Sequence, residues 1–501
     1  MIKNSLLVIM FLYGFQGLQA QDLVHIPAIT GTGSKSDSAT SFLLSAQDDS
    51  RFEDYIPKSR PYTNSIQIVD ADEPWPPRWY TAMPYYSNDQ YLQDSANDIK
   101  SCDFLMDAKM EHGYLSYFKS TFKFKMKSLT LLSNDISGYI LLNKKYEPVD
   151  TVTKLEPKAH FFDWHDLRIN KNGDRLLSVK VSSKLDLRDQ TGNPADSAVF
   201  SDIDIIKVLN KDNAPIFSWN VVKKLDPTGF KFNEVLRSRT TPQLNSDDGI
   251  DWTNLTSLAW DYDGNILYSL RFIGIGKISI KDGTLLWHLD YKDMPVVSGK
   301  DTLQWYYPQN LNLISENDTF ATYSIYSLGS AEYPKAQAVL FEINKKTNSI
   351  IPIDYITPKI NFRGEGNGGF EYEGKGNYIF SYGIYDAGKS SAGNKYEIQY
   401  TRNRNNTTLY KVPDKISVDK VHEIKDWPRP PRPVISVKNN MLQVEGDWKN
   451  LVWYKLDGPV LQNVTLEGTG QSIKPKPGAT YCVEAPYGIG NVVSKAFKVA
   501  K

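Results

Sequence analysis

The sequence predicts an all-β chain: a β-propeller of about six blades followed by a small C-terminal β-sandwich of the immunoglobulin or fibronectin type. Three observations predict it. Residues Asp251 to Leu289 form a self-contained hairpin module. Weaker copies of that module recur on both sides of it. No stretch after the first twenty residues has helical periodicity long enough to compete.

The module reads as four antiparallel strands. Leu255, Ser257 and Ala259 alternate with Thr256, Leu258 and Trp260, as in a strand with two faces. Asp263-Gly264-Asn265 is a turn, because glycine accepts positive φ freely and Asp and Asn tolerate it. Ile266 to Phe272 and Gly276 to Ile280 are the next strands. Lys281-Asp282-Gly283 then turns the chain into Thr284 to Leu289, which carries Trp287. Aspartate–glycine turns with a closing tryptophan are a blade signature.

Trp164 to Lys180 repeats the first half around Asn172-Gly173, and Asp202 to Trp219 the second half. Asn310 to Ser327 and Ala338 to Pro352 make another pair, and Phe370 to Gly383 with Glu397 to Val412 a third. Leu258, Leu311 and Phe370 are spaced to suit one blade each. The longer interval from Leu167 to Leu258 leaves room for excursions or a further blade. Tyr114 to Val149 alternates well and is expected as the first blade.

In chain order, residues 1–20 have the form of a signal peptide: Lys3, an apolar run from Leu6 to Tyr13, and Leu18-Gln19-Ala20 as a small-residue cleavage site. The run is too short to span a bilayer comfortably, and no other segment is apolar enough. A secreted, extracellular protein is expected. Residues 21–50 are polar and expected to be loose. Residues 51–425 are assigned to the propeller, with the proline-bearing stretch up to Asp72 confined to an edge. Residues 426–433 (DWPRPPRP) read as a stiff linker and 434–501, with short alternating strands, as the sandwich.

The net charge of +0 and pI of about 7.0 give no electrostatic footprint for nucleic acid or an anionic membrane. No metal-ligand spacing and no cofactor motif is present. The glycine-rich run from Arg363 to Asn377 lacks the lysine and hydroxyl of a phosphate loop. Cys102 and Cys482 are the two cysteines of the chain. In an oxidising compartment they read either as one disulfide or as two separately buried thiols. Asn254, Asn317, Asn405, Asn406 and Asn463 head glycosylation sequons. Asn317, Asn405 and Asn406 fall in expected turns, whereas a glycan on Asn254, within an expected strand, would be obstructed.

The run Asp251-Trp252-Thr253-Asn254-Leu255-Thr256-Ser257, then Asp261-Tyr262-Asp263-Gly264-Asn265-Ile266-Leu267, then Arg271, Lys277-Ile278, Gly283 and Trp287-His288-Leu289 resembles the arylsulfotransferase family of secreted, nucleotide-independent sulfotransferases. His165-Asp166-Leu167, Asn172-Gly173 and Gln309-Asn310-Leu311 extend the resemblance, and the eukaryotic-type branch with its C-terminal sandwich is the nearest form. The resemblance implies a histidine that attacks the sulfuryl group and carries it, with further histidines and an arginine binding the sulfate oxygens. His165 matches the first histidine and Arg271 the arginine. Asn254 stands in place of a second histidine, and Asn310 in place of the nucleophile. An amide nitrogen lone pair is delocalised and cannot carry a sulfuryl group, but an amide still bonds an oxyanion.

The resemblance therefore implies a cradle for an aromatic or sulfated small molecule: His165 and Arg271 as catalytic candidates, Asn254 and Asn310 as ligand-binding ones, and Trp252, Trp305 and Tyr306 as nearby rings. Beside it stand plainer readings. His165 is then a strand-edge histidine, Arg271 a blade-bridging cation, the two asparagines strand caps, and Trp219 and Trp287 blade packing. Three functions remain open: a divergent sulfotransferase acting on phenols, a silent propeller binding an aromatic or anionic ligand, and a secreted scaffold that binds protein or glycan. The oligomeric state is not legible.

Overall fold

The computed structural model describes residues 41–48, 65–70, 78–82, 99–125, 130–153, 161–162, 166–186, 199–225, 253–271, 273–290, 305–328, 336–359, 368–382, 396–412, 416–456 and 464–500, with single positions 188, 194 and 197. It is nearly all β, in antiparallel sheets. The helix α1, Val221–Lys224, is one turn capped by the Asn220 side chain, which accepts from Lys223 N–H.

Five sheets use consecutive strands. Sheet I holds Ile99–Glu111, Tyr114–Lys125, Thr130–Leu142 and Pro148–Val152. Sheet II holds Phe161–Phe162 and Arg168–Ile169 beside Arg175–Leu185, then Val199–Leu209 and Pro215–Asn220. Sheet III is Leu255–Trp260, Ile266–Leu270, Gly274–Ile278 and Leu285–Asp290. Sheet IV is Pro308–Glu316, Phe320–Ser327, Gln337–Asn344 and Ile350–Ile356. Sheet V is Gly368–Gly374, Asn377–Tyr382, Tyr396–Arg402 and Asn406–Val412.

Sheet VI joins distant parts of the chain. Ile416–Glu423 pairs with Ser41–Asp48, which pairs with Ser65–Asp70 and then Arg78–Ala82. The sheet continues through the Thr81–Asn491 pair into Gly490–Val493, Thr480–Tyr487, Val452–Leu456 and Val464–Thr469. Ile435–Lys438, Met441–Val444 and Ser472–Ile473 form the small sheet VII. The sheets touch in a closed circuit. Sheet I meets II, II meets III, III meets IV, IV meets V, V meets Ile416–Glu423, and that strand meets Ile99–Glu111 of sheet I.

Face-to-face stacking explains the burial. Leu255–Trp260 is buried on both faces down to its last residue, because sheets II and IV cover its two sides. Trp219 of sheet II, 1 % exposed, donates its indole N–H to Gly283 O at 3.0 Å and lies 5.6 Å from the Tyr268 ring of sheet III. It is packing, as is Trp287 against Tyr323. Gly276 is required where it stands, since a Cβ there would overlap the Tyr268 ring. The anchors Leu167, Leu258, Leu311 and Phe370 are all buried.

Several expectations change. Sheet I begins with Ile99–Glu111, a strand the sequence reading left out, because five charged residues interrupt its apolar pattern. Ser41–Asp48, expected as part of a loose segment, is a paired strand with Phe42 and Leu43 buried. Ser65–Asp70, expected at an edge, lies inside sheet VI. The segment 426–433 is docked rather than spanning open space: Tyr146 donates its hydroxyl to Pro428 O at 2.9 Å, Trp427 meets the Tyr146 ring, and Arg432 Nε–H bonds Val493 O. Cys482 is buried beside Tyr454 and Val493, and no disulfide is formed among the described residues. It packs as a small apolar group, while the Cys102 side chain lies outside the described residues.

Candidate functional site

Three leading strands begin side by side. Thr256 donates its hydroxyl to Pro308 O at 2.6 Å, and Leu311 N–H donates to Ser257 Oγ at 2.9 Å, so the starts of sheets III and IV are in register. Asn254 precedes its strand at φ +34, where the sequence reading had placed it inside one. Its carbonyl accepts from Arg271 N–H at 2.9 Å, because the antiparallel partner strand ends there. The Arg271 guanidinium lies over the Tyr307 ring, 5.2 Å from its centre. Three residues on, Asn310 is 7 % exposed at φ +51. Its Nδ2 lies 2.8 Å from where a Cβ on Gly369 of sheet V would stand, so that glycine makes room for it. The buried Asn310 Oδ1 meets no hydrogen-bond partner among the described residues.

The structure thus brings Asn254, Arg271 and Asn310 to one end of sheets III and IV. His165, Trp252 and Asn463 lie outside the described residues. Trp305 is fully buried, with its ring 5.8 Å from that of Phe341 in the core between sheets III and IV. Tyr306 is half-buried with its backbone N–H and carbonyl both bonded to Ser327 Oγ. Tyr307, which the sequence reading passed over for its neighbour, is the ring that meets the arginine. Adjacency to Tyr306 was its only signal. Asn317, Asn405 and Asn406 are exposed at hairpin turns.

The described histidines stand elsewhere. His288 Nδ1 bonds the Tyr268 hydroxyl at 2.9 Å inside the core, and burial pushes its imidazole down to about 4. His422 Nδ1 meets Glu371 at 2.8 Å, and His112 sits at an exposed turn.

Further along the same strands lies a buried ion network that sequence reasoning missed. A bulge after Met106 puts Asp107 at φ +54. Asp107 accepts from Lys109 at 2.5 Å, Lys420 at 3.0 Å and Leu167 N–H at 3.2 Å. Asp166 pairs with Lys109 and with Arg168 Nε at 3.1 Å, and accepts from Leu258 N–H at 3.0 Å. Arg168 also reaches Glu111 at 2.9 Å and Asn312 at 2.8 Å. Three carboxylates thus meet three cations across sheets I, II, IV and VI, with the Leu258 backbone of sheet III bonded into the set. Burial alone would raise the Asp166 carboxyl, but Arg168, Lys109 and Lys420 outweigh it and hold it well below the usual carboxylate range. The signal was available in the spacing: Asp107, Lys109 and Glu111 recur at every second position of one strand, and Asp166 and Arg168 likewise.

Residues 78–296, under half of the chain, match the family model described as Arylsulfotransferase (ASST). No curated protein matches the chain. Among solved structures, a protein of unknown function from Bacteroides caccae is similar at 10 % identity and a TM-score of 0.41, covering 78 % of this chain and 100 % of that one. The WD40 beta propeller domain of Doa1 is similar at 11 % identity and a TM-score of 0.27, covering 63 % of this chain and 82 % of that one. Among the described residues no helix is long and apolar enough to cross a membrane.

Proposed function

We propose that this chain is a secreted arylsulfotransferase-like protein that holds aryl sulfates and phenols at the mouth formed by Asn254, Arg271, Tyr307 and Asn310. The observation that carries the reading is Arg271, spread over Tyr307 beside two asparagines, within or next to the segment that matches the family model. A guanidinium meets two sulfate oxygens with parallel N–H donors, and an aromatic wall suits a phenyl ring. The closed circuit of sheet contacts supports a six-bladed propeller sealed by Ser41–Asp48, and sheet VII facing the C-terminal strands of sheet VI supports the sandwich.

Asn310 forms no bond to sulfur. A covalent route runs through His165, whose imidazole nitrogen attacks sulfur while the bond from sulfur to the ring oxygen breaks and the phenolate leaves. Arg271 opposes the charge on the oxygens. A second reading, a silent binder of aromatic anions, is favoured by the amide at position 310.

Incubation with p-nitrophenyl sulfate and a phenol acceptor tests the proposal. The expected result is release of p-nitrophenol with sulfation of the acceptor, abolished in His165→Ala. Binding without release leaves the second reading, and absence of both overturns the proposal.

A further inference from the structure

Among the described residues two tyrosines hold positive φ, Tyr146 in the hairpin turn of sheet I and Tyr307 outside any hairpin turn. Asn213, Asn348, Asn403 and Asn440 take positive φ between the paired strands of hairpins, where the reversal of the chain requires it. Tyr307 takes φ +52 at a strand entry, flanked by Asn254 and Asn310 in the same region of backbone. A bulky aromatic residue rarely holds that conformation, and such strain persists only where surrounding structure enforces it. Here the enforcement is visible. The Tyr307 ring packs against the cluster of Tyr326, Phe370 and Phe380 between sheets IV and V, while Arg271 arrives over it from sheet III.

Resting on the reading above, we propose that Tyr307 is the positioning residue of the mouth: its strained backbone sets a rigid ring under Arg271, so the guanidinium is held in one orientation and offers its N–H edge to the sulfate group of an aryl sulfate. A lysine there has no plane to stack, and an arginine that lacks the ring would sample more rotamers. The ring therefore lowers the ordering cost of the anion contact.

Calorimetric titration of p-nitrophenyl sulfate into the full chain tests this with a double-mutant cycle. The intact protein binds. Tyr307→Phe, which keeps the ring, binds as tightly. Tyr307→Leu binds about tenfold more weakly, and Tyr307→Asn, whose side chain suits the left-handed backbone, does the same if the leucine variant does not fold. In an Arg271→Ala background the Tyr307 substitution costs nothing further, because the ring acts through the arginine. Additive losses, an unchanged affinity in Tyr307→Leu and Tyr307→Asn, or a loss in Tyr307→Phe as large as theirs would each overturn the positioning role while leaving the binding proposal standing. No binding by the intact protein overturns the binding proposal itself.

Discussion

Asn310 shows how much chemistry one residue settles. Its amide is buried at a strand entry, held at φ +51 by a backbone that asparagine tolerates better than most side chains. Gly369 leaves it space across the seam. That asparagine stands where the family pattern calls for a histidine was legible from Gln309-Asn310-Leu311 alone. The neighbouring Tyr307 was not legible, since nothing in a Tyr-Tyr pair says which ring turns toward the arginine. A second residue-scale case is Gly276, where any Cβ meets the Tyr268 ring. Gly276→Ala is expected to lose about 1–3 kcal/mol of stability through overpacking, measured by urea unfolding. An unchanged midpoint would show that Tyr268 is not seated as described.

At the scale of elements, the ion network and the Glu373 cluster make separate predictions. Lys420 Nζ lies 3.0 Å from Asp107 and 3.5 Å from Asp166 on another sheet. Lys420→Met leaves those carboxylates short of a cation in a buried site, and a loss of about 3–5 kcal/mol in chemical denaturation is expected. A loss near zero would mean that water reaches the network. Glu373 of sheet V and Glu423 of sheet VI share Lys425, at 2.8 Å and 3.4 Å, and Tyr400 donates its hydroxyl to Glu423 at 3.2 Å. Arg402 bonds that hydroxyl and His422 bonds Glu371 nearby. Burial, then Glu423, raises the Glu373 carboxyl from its ordinary 4.5 to about 7.

The folded protein therefore holds a proton on Glu373 that the unfolded chain has released, and this contribution to stability fades as pH rises from 4.5 to 7. His288 acts in the opposite sense. Its imidazole stays neutral down to about 4 when folded but titrates at 6.5 when unfolded, so its contribution fades as pH falls through that window. The two slopes oppose each other between 4.5 and 6.5. Melting temperatures across that range should rise more steeply with pH in Glu373→Gln than in the intact protein. Parallel profiles would remove Glu373 from the account. None of this was legible from the sequence, because Glu373 and Glu423 meet only when sheets V and VI stack.

At the scale of the molecule, the sheets were legible where their hairpins were local. Sheets III, IV and V follow the turns read from Asp263-Gly264, Asn317-Asp318 and Gly374 to Asn377. Sheet VI was not, because Ser41–Asp48 pairs with a strand more than three hundred residues away and a polar composition hides that partnership. Removing Ser41–Asp48 exposes the edges of Ile416–Glu423 and Ser65–Asp70 together, and a marked fall in melting temperature with aggregation is expected. A deletion variant that melts with the intact protein would deny that this strand holds sheet VI together. The arginine at the mouth is the central functional claim, and calorimetric titration of p-nitrophenyl sulfate into the full chain and into Arg271→Ala tests it most directly. Saturable binding, weakened at least about tenfold by loss of the charge-assisted contact, is the predicted result. Equal affinity in the two proteins, or none in either, would contradict it.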